Sequence, residues 1–263
     1  MKIEFNLTKI KALAIDMDGV LWRGDQPLPG MSDFFGFLHR QNISYTLVSN
    51  NSTKTPVQYQ KKLAGMGVVI NPNSLLTSSL ATAAYLKRQF KQNSLVYIVG
   101  QDGLFEAVQN AGFNLVPDSN HPADIVVAGL DFFVTYDKLR HATLLIRRGA
   151  SFVGTNGDKT FPSEEGLLPG AGAVLAAIEA ATGVTPTVIG KPERLMFDIA
   201  VEKMGVAPDQ VAMVGDRLET DILGGQRVGL KTILVTTGVD NEDAVTEKGI
   251  QPDAIFSGID ELT

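Results

Sequence analysis

An α/β protein with two sheet-forming regions is predicted by three features of this 263-residue chain. Short apolar runs alternate with amphipathic stretches, the pattern of a parallel sheet joined by crossover helices. The apolar runs lead into polar or glycine turns, as strands do at the edge where open α/β sheets bind ligands. A long central stretch repeats the alternation independently, enough for a second sheet with its own helices. The expected fold is therefore a doubly wound parallel-sheet (Rossmann-like) core with a smaller α/β domain inserted into it.

The elements follow in order. Ala12 to Asp16 is the first strand, and Arg23 to Gly30 is a Gly/Pro-rich loop. A helix near Ser32–Arg40 sets Phe34, Phe37 and Leu38 on one face. Ser44–Val48 is the second strand, running into Ser49-Asn50-Asn51-Ser52, and a helix follows around Val57–Met66. Thr187–Ile189, Val211–Val214 and Thr232–Val235 read as further strands of the same sheet. In the central stretch, Leu95–Val99, Ile125–Ala128 and Ser151–Gly154 are strands. Helices Leu80–Phe90, Gly103–Ala111, Tyr136–Arg147 and Ala171–Ala181 lie among them. The insert is placed at 80–183, and the core at 1–79 plus 184–263.

Composition narrows the function. With 44% hydrophobic residues the chain can bury a sizeable core. A net charge of −6, with no basic run, argues against a nucleic-acid partner. Lys9 and Lys11 interrupt the early apolar stretch, so no signal peptide is expected there. No segment approaches the roughly 20 apolar residues of a spanning helix, so no membrane partner is expected. Zero cysteines exclude disulfides, thiolate zinc and thiol nucleophiles, and are compatible with a cytoplasmic protein. The three histidines, His39, His121 and His141, stand apart in sequence and suggest no metal site.

The chemistry concentrates at the strand ends. Asp16 and Asp18 close the first strand two residues apart, so an extended backbone points both to one side. Two like charges held this close call for a counter-charge, most simply a divalent cation. One carboxylate can then attack as a nucleophile while the other carries a proton. The plain alternative is that Asp and Gly merely form a turn. After the second strand, the Ser49 hydroxyl and N–H groups near Asn50 can cradle an anion, or simply cap the next helix. Lys191 stands at another strand end, where a point charge suits a phosphate, although a loop lysine is more often a solvated surface group. Asp216 ends Val211–Gly215 and can join Asp16 on a hard cation. Asp221 could orient a ligand or the lysine from behind, or stabilise a helix N-terminus.

Taken together, Asp16-Met17-Asp18-Gly19-Val20-Leu21-Trp22, Ser49-Asn50-Asn51-Ser52, Gly190-Lys191-Pro192 and Gly215-Asp216-Arg217-Leu218-Glu219-Thr220-Asp221-Ile222 resemble the haloacid dehalogenase superfamily of phosphohydrolases. More narrowly, they resemble its NagD / p-nitrophenylphosphatase / phosphoglycolate phosphatase branch, which carries a large α/β cap. Gly154-Thr155-Asn156-Gly157-Asp158 and Pro169-Gly170-Ala171-Gly172 add a local match inside the insert.

The resemblance implies a Mg²⁺-dependent phosphatase acting on a small phosphorylated metabolite. Asp16 would attack phosphorus to give an aspartyl-phosphate, and Asp18 would serve as general acid and then base. The phosphate would be bound by Ser49, Asn50, Asn51 and Lys191. Mg²⁺ would lie on the Asp16 carboxylate, the Asp18 backbone carbonyl and the Asp216 carboxylate, with Asp221 supporting from behind. The insert would act as a substrate-selecting lid, with Asn156, Asp158 and Phe161 approaching the substrate and its outer face available for a homodimer. Two other readings use the same residues. A phosphotransferase or phosphomutase would share the intermediate, and a binding module would keep the fold without turnover. Gly170-Ala171-Gly172 lacks the preceding strand and third glycine of a dinucleotide site. Ser49 lacks the Gly-x-Ser-x-Gly of a serine hydrolase.

Overall fold

The computed structural model describes residues 9–163 and 165–263. The chain divides into two compact units. The first takes the chain through Ser49, then Val57–Leu76 and Lys191–Thr263; the second takes Asn50–Pro56 and Thr77–Gly190.

The first unit is built on a six-stranded sheet. Across it lie Ala254–Phe256, Lys231–Val235, Val211–Gly215, Ala12–Ile15, Ser44–Ser49 and Leu75–Thr77, in that order. Ala12 stands opposite Val211 on one side and Ser44 on the other, both pairings parallel. All four residues of Ala12–Ile15 and all five of Val211–Gly215 are buried. That explains their unbroken apolar runs: central parallel strands are covered on both faces. The helix Met31–Arg40 buries Met31, Phe34 and Leu38, spaced three and four apart, on one apolar stripe. Trp22, Tyr59, Leu47 and Leu63 extend the same core.

The strand order reverses beside Ala12–Ile15. From there the chain steps through Ser44–Ser49 to Leu75–Thr77 on one side. It later returns to the other side with Val211–Gly215, Lys231–Val235 and Ala254–Phe256. Such a switch point opens a crevice at the carboxyl ends of the two strands that flank it. Asp16 and Asp216 are the residues that follow those two strands.

The second unit has its own five-stranded parallel sheet: Thr187–Val188, Ser151–Gly154, Ile125–Ala128, Leu95–Val99 and Asn114–Leu115. This corrects one expectation. The sequence pattern assigns Thr187–Ile189 to the first sheet, yet Thr187 pairs with Val153 and Val188 with Gly154 in the second. The Ile189 N–H donates to the Gly154 carbonyl at 3.1 Å and prolongs that pairing. A two-residue strand carries no sheet address in its own sequence; the register comes from its neighbour.

Several further elements had no sequence expectation, among them the helices Arg194–Met204 and Glu242–Lys248 and the strand Asn114–Leu115. Leu75–Thr77 and Ala254–Phe256 close the two edges of the first sheet, and Thr160–Ser163 pairs with Gly166–Pro169 in an antiparallel hairpin. Starting one residue before the expected Gly/Pro-rich loop, Trp22–Arg23 and Gln26–Pro27 form a small hairpin of their own.

Candidate active site

Four charged side chains of the first unit converge. Asp16, Lys191, Asp216 and Asp221 are each at most 8% exposed. The Lys191 ammonium donates to Asp16 Oδ1 at 2.6 Å, to Asp221 Oδ1 at 2.6 Å and to the Val48 carbonyl at 3.3 Å. One oxygen from each of Asp16, Asp216 and Asp221 lies within 4.8 Å of the others. Charges buried at this depth persist only when paired or bound to a cation.

Each member is held by backbone as well as by its neighbours. The Asp16 N–H donates to the Val214 carbonyl at 2.8 Å, so the strand pairing itself fixes where its side chain emerges. Asp216 Oδ2 accepts from the Val239 N–H at 2.8 Å. Two glycines close on the same carboxylate: a Cβ on Gly19 would come within 2.4 Å of Asp216 Oδ2, and one on Gly238 within 1.8 Å. Gly19 also has φ 86, a conformation that favours glycine. Asp221 Oδ2 accepts from the Arg217 N–H at 3.1 Å.

The electrostatics follow from crowding and burial. Burial pushes the Asp16 carboxyl well above the ordinary value, against the opposing pull of Lys191 and with added repulsion from Asp221 and Asp216. Burial, then the Asp221 charge, raise Asp216 to about 7. Burial alone would lower Lys191, but Asp16 and Asp221 outweigh it and hold the ammonium above the usual lysine value. One ammonium thus faces three buried carboxylates. Oxygen donors in this number and spacing fit a small hard cation.

Asp18 differs from the others. Asp18 is exposed although Asp16, two residues earlier, and Met17 are both buried, so the simple alternation that would set the two acids alike does not hold here. Its Oδ1 accepts from the Trp22 indole Nε1 at 2.7 Å. Ser49 is buried at the end of the neighbouring strand and shares a hydrogen bond with the Tyr59 hydroxyl.

The remaining sequence-predicted residues gather in the second unit. Asn50 Nδ2 donates to Asp158 Oδ2 at 3.0 Å, and the Asn50 carbonyl accepts from Asn156 Nδ2 at 2.8 Å and Ser78 Oγ at 2.6 Å. The Asn51 carboxamide oxygen accepts from Thr53 N, Thr53 Oγ1 and Lys54 N, the bonds of a turn. Phe161 lies 5.5 Å from the Phe132 ring.

Sequence reasoning missed the loop after Lys231–Val235. Gly238 and Val239 hold Asp216, and the Thr237 hydroxyl donates to the Gly19 carbonyl at 2.6 Å. A strand running into Thr-Thr-Gly was the available signal.

Residues 13–114 match a family model described as haloacid dehalogenase-like hydrolase, and residues 188–262 match a second, HAD-hydrolase-like model. The acid sugar phosphatase of Staphylococcus aureus is 42% identical over 255 residues, 97% of each chain. The chain belongs to the haloacid dehalogenase-like hydrolase family. Within that family it falls in the NagD-like branch: NagD from E. coli superposes with a TM-score of 0.89 at 30% identity, covering 97% of this chain and 98% of the other. A glycerol phosphate phosphatase from Mycobacterium tuberculosis, solved in complex with magnesium, gives 0.88 at 33% identity, covering 100% and 78%. Among the described residues, no helix is long and apolar enough to cross a membrane.

Proposed function

We propose that this chain is a Mg²⁺-dependent phosphatase of small organic phosphate monoesters, with Asp16 as nucleophile and Asp18 as general acid and base. The observation that carries this reading is the buried group of Asp16, Lys191, Asp216 and Asp221 at the switch point of the sheet. Relatives named as phosphatases across nearly the whole chain support it.

The residues account for the chemistry in two displacements. An Asp16 carboxylate oxygen forms a bond to phosphorus while the ester P–O bond breaks, its electron pair leaving with the organic oxygen. Asp18 gives that oxygen its proton and becomes a carboxylate. Asp18 then takes a proton from water as the water oxygen bonds to phosphorus, and the P–O bond to Asp16 breaks with its electrons returning to Asp16. Splitting one hard displacement into two easier ones is what a carboxylate nucleophile offers. The Lys191 ammonium stays charged and stabilises the transferring phosphoryl oxygens, which is the larger part of catalysis in such transfers. Asp16, Asp216 and the Asp18 backbone carbonyl would hold Mg²⁺, which when bound neutralises phosphoryl charge and separates the carboxylates. Ser49, with the N–H groups of Asn50 and Asn51, would bind the phosphate.

Residues 80–183 are read as the substrate-selecting insert, with Asn156 and Asp158 its candidate contacts. The product distinguishes hydrolysis from transfer. With p-nitrophenyl phosphate and Mg²⁺ the protein is expected to release free phosphate, to stop in excess EDTA, and to lose activity in Asp16→Asn by on the order of 10⁴-fold. Full activity in Asp16→Asn would remove Asp16 as nucleophile. Phosphoryl transfer to an acceptor sugar with little free phosphate would make the chain a phosphotransferase.

A further inference from the structure

The buried acids of the site are held by the Lys191 ammonium or by backbone N–H groups, but Asp18 is exposed and is held by a neutral side chain. Its Oδ1 accepts from Trp22 Nε1 at 2.7 Å. Trp22 is the chain's single tryptophan and is fully buried. The Tyr59 ring lies 6.4 Å away by centroids, and the Lys62 ammonium sits 4.6 Å above the indole. That ammonium also donates to the Gly24 carbonyl at 2.6 Å, at the turn of the hairpin that Trp22 begins. The Arg23 guanidinium donates to the Thr237 carbonyl through two nitrogens, one of them Nε at 2.8 Å. A fully buried indole braced in this way is a rigid donor aimed at an exposed carboxylate.

We infer that Trp22 is a positioning residue for Asp18: its indole N–H engages Oδ1, so that Oδ2 is the oxygen that carries and delivers the proton. The chemistry of the pair points the same way. Indole Nε1 only donates, so the oxygen it meets serves as acceptor in either protonation state. When Asp18 is protonated, the hydrogen therefore resides on Oδ2. Fixing that oxygen also fixes the direction of proton delivery, on which general-acid catalysis depends. Trp22 itself exchanges no proton with substrate. This inference rests on the phosphatase reading above and deepens it.

The test compares two esters. p-Nitrophenolate leaves readily without a proton, whereas an alkoxide from an alkyl phosphate needs one, so only the second reports on the acid. In Trp22→Phe, kcat/KM for an alkyl phosphate is expected to fall about tenfold or more, and for p-nitrophenyl phosphate by less than about threefold. Because kcat/KM extends only through departure of the leaving group, the later water attack does not blur the comparison. Equal losses for both esters would mean that Trp22 only supports the fold, and would overturn the inference.

A second measurement needs neither turnover nor a folded Trp22→Phe. The lone tryptophan gives one indole ¹H–¹⁵N resonance. In Asp18→Ala it is expected to move upfield and to exchange faster with solvent, because its charged acceptor is gone. An unchanged resonance and exchange rate would overturn the inference by itself. Absence of phosphate release by the wild-type protein from either ester would instead defeat the phosphatase reading, a result the indole signal does not mimic.

Discussion

The two units share one plan, a parallel sheet joined by helices, and differ at their strand ends. In the first, Ala12–Ile15 and Val211–Gly215 each run into a buried acid, and Lys191 is bonded to two carboxylates at 2.6 Å. In the second, Leu95–Val99, Ile125–Ala128 and Ser151–Gly154 run into Gly100, Gly129 and Thr155-Asn156, none of them ionisable. There the polar contacts are Asn50 to Asp158, Asn156 to Asn50 and one buried acid, Asp131, matched by a single lysine, Lys138, at 2.6 Å. Among the described residues, the one group of acids spaced to hold a metal belongs to the first unit. A parallel sheet supplies geometry; the first residues beyond each strand decide whether that geometry does chemistry.

The contrast can be broken by removing charge from each side of it. Lys191→Met leaves three buried carboxylates facing one another without a counter-charge, and should cost about 3–5 kcal/mol in urea unfolding at neutral pH. The penalty should shrink as pH falls, because the acids can protonate. A loss below about 1 kcal/mol would show that the cluster is solvated rather than buried.

Acidity sharpens the comparison next. Asp216 titrates near 7 in the folded chain, raised from 3.8 by burial and then by Asp221. A group raised by folding contributes its full stability below the unfolded value. That contribution is lost as pH rises toward the folded value, so the metal-free protein should lose stability from about pH 4 to pH 7. Metal binding needs the carboxylate, so it opposes this trend. Mg²⁺ affinity measured by calorimetry should fall about tenfold per pH unit below 7, with proton release on binding. A flat affinity between pH 5.5 and 8 would remove Asp216 from the metal site.

The smallest effect is expected in the second unit. Asp158→Ala removes one hydrogen bond to Asn50 and should cost about 1 kcal/mol. Its larger consequence should be a changed preference among phosphate esters, seen as unequal shifts in kcat/KM. Uniform loss across esters would deny Asp158 any part in selection.

The sequence made the charged centre legible for a physical reason. Asp16, Lys191, Asp216 and Asp221 are residue types that are rarely buried, and each adjoins or closely follows an apolar run. Such a conflict between polarity and burial is visible in one dimension. The supports of the site are less visible. Val239 holds Asp216 through its backbone N–H, which every residue but proline possesses, so its identity carries no signal. Gly238 matters for the side chain it lacks. Trp22 reads as an ordinary core aromatic until its indole nitrogen is seen against Asp18. Sequence places Thr187–Ile189 in the wrong sheet because pairing partners across a parallel sheet lie far apart in the chain. The Asn51 side chain is committed to a local turn, so any part it takes in a phosphate cradle is through its backbone N–H, which its identity does not advertise.

The most direct test of the central claim is to trap the intermediate. Asp18→Asn, given p-nitrophenyl phosphate and Mg²⁺ and quenched in acid, should keep one phosphoryl group on the peptide containing Asp16, because the variant lacks the base for its hydrolysis. The nitrophenolate leaves readily and needs little acid help to form it. Peptide mapping by mass spectrometry should find that added mass at Asp16, and none when Asp16 is also changed to Asn. A phosphoryl group on any other residue would contradict the account.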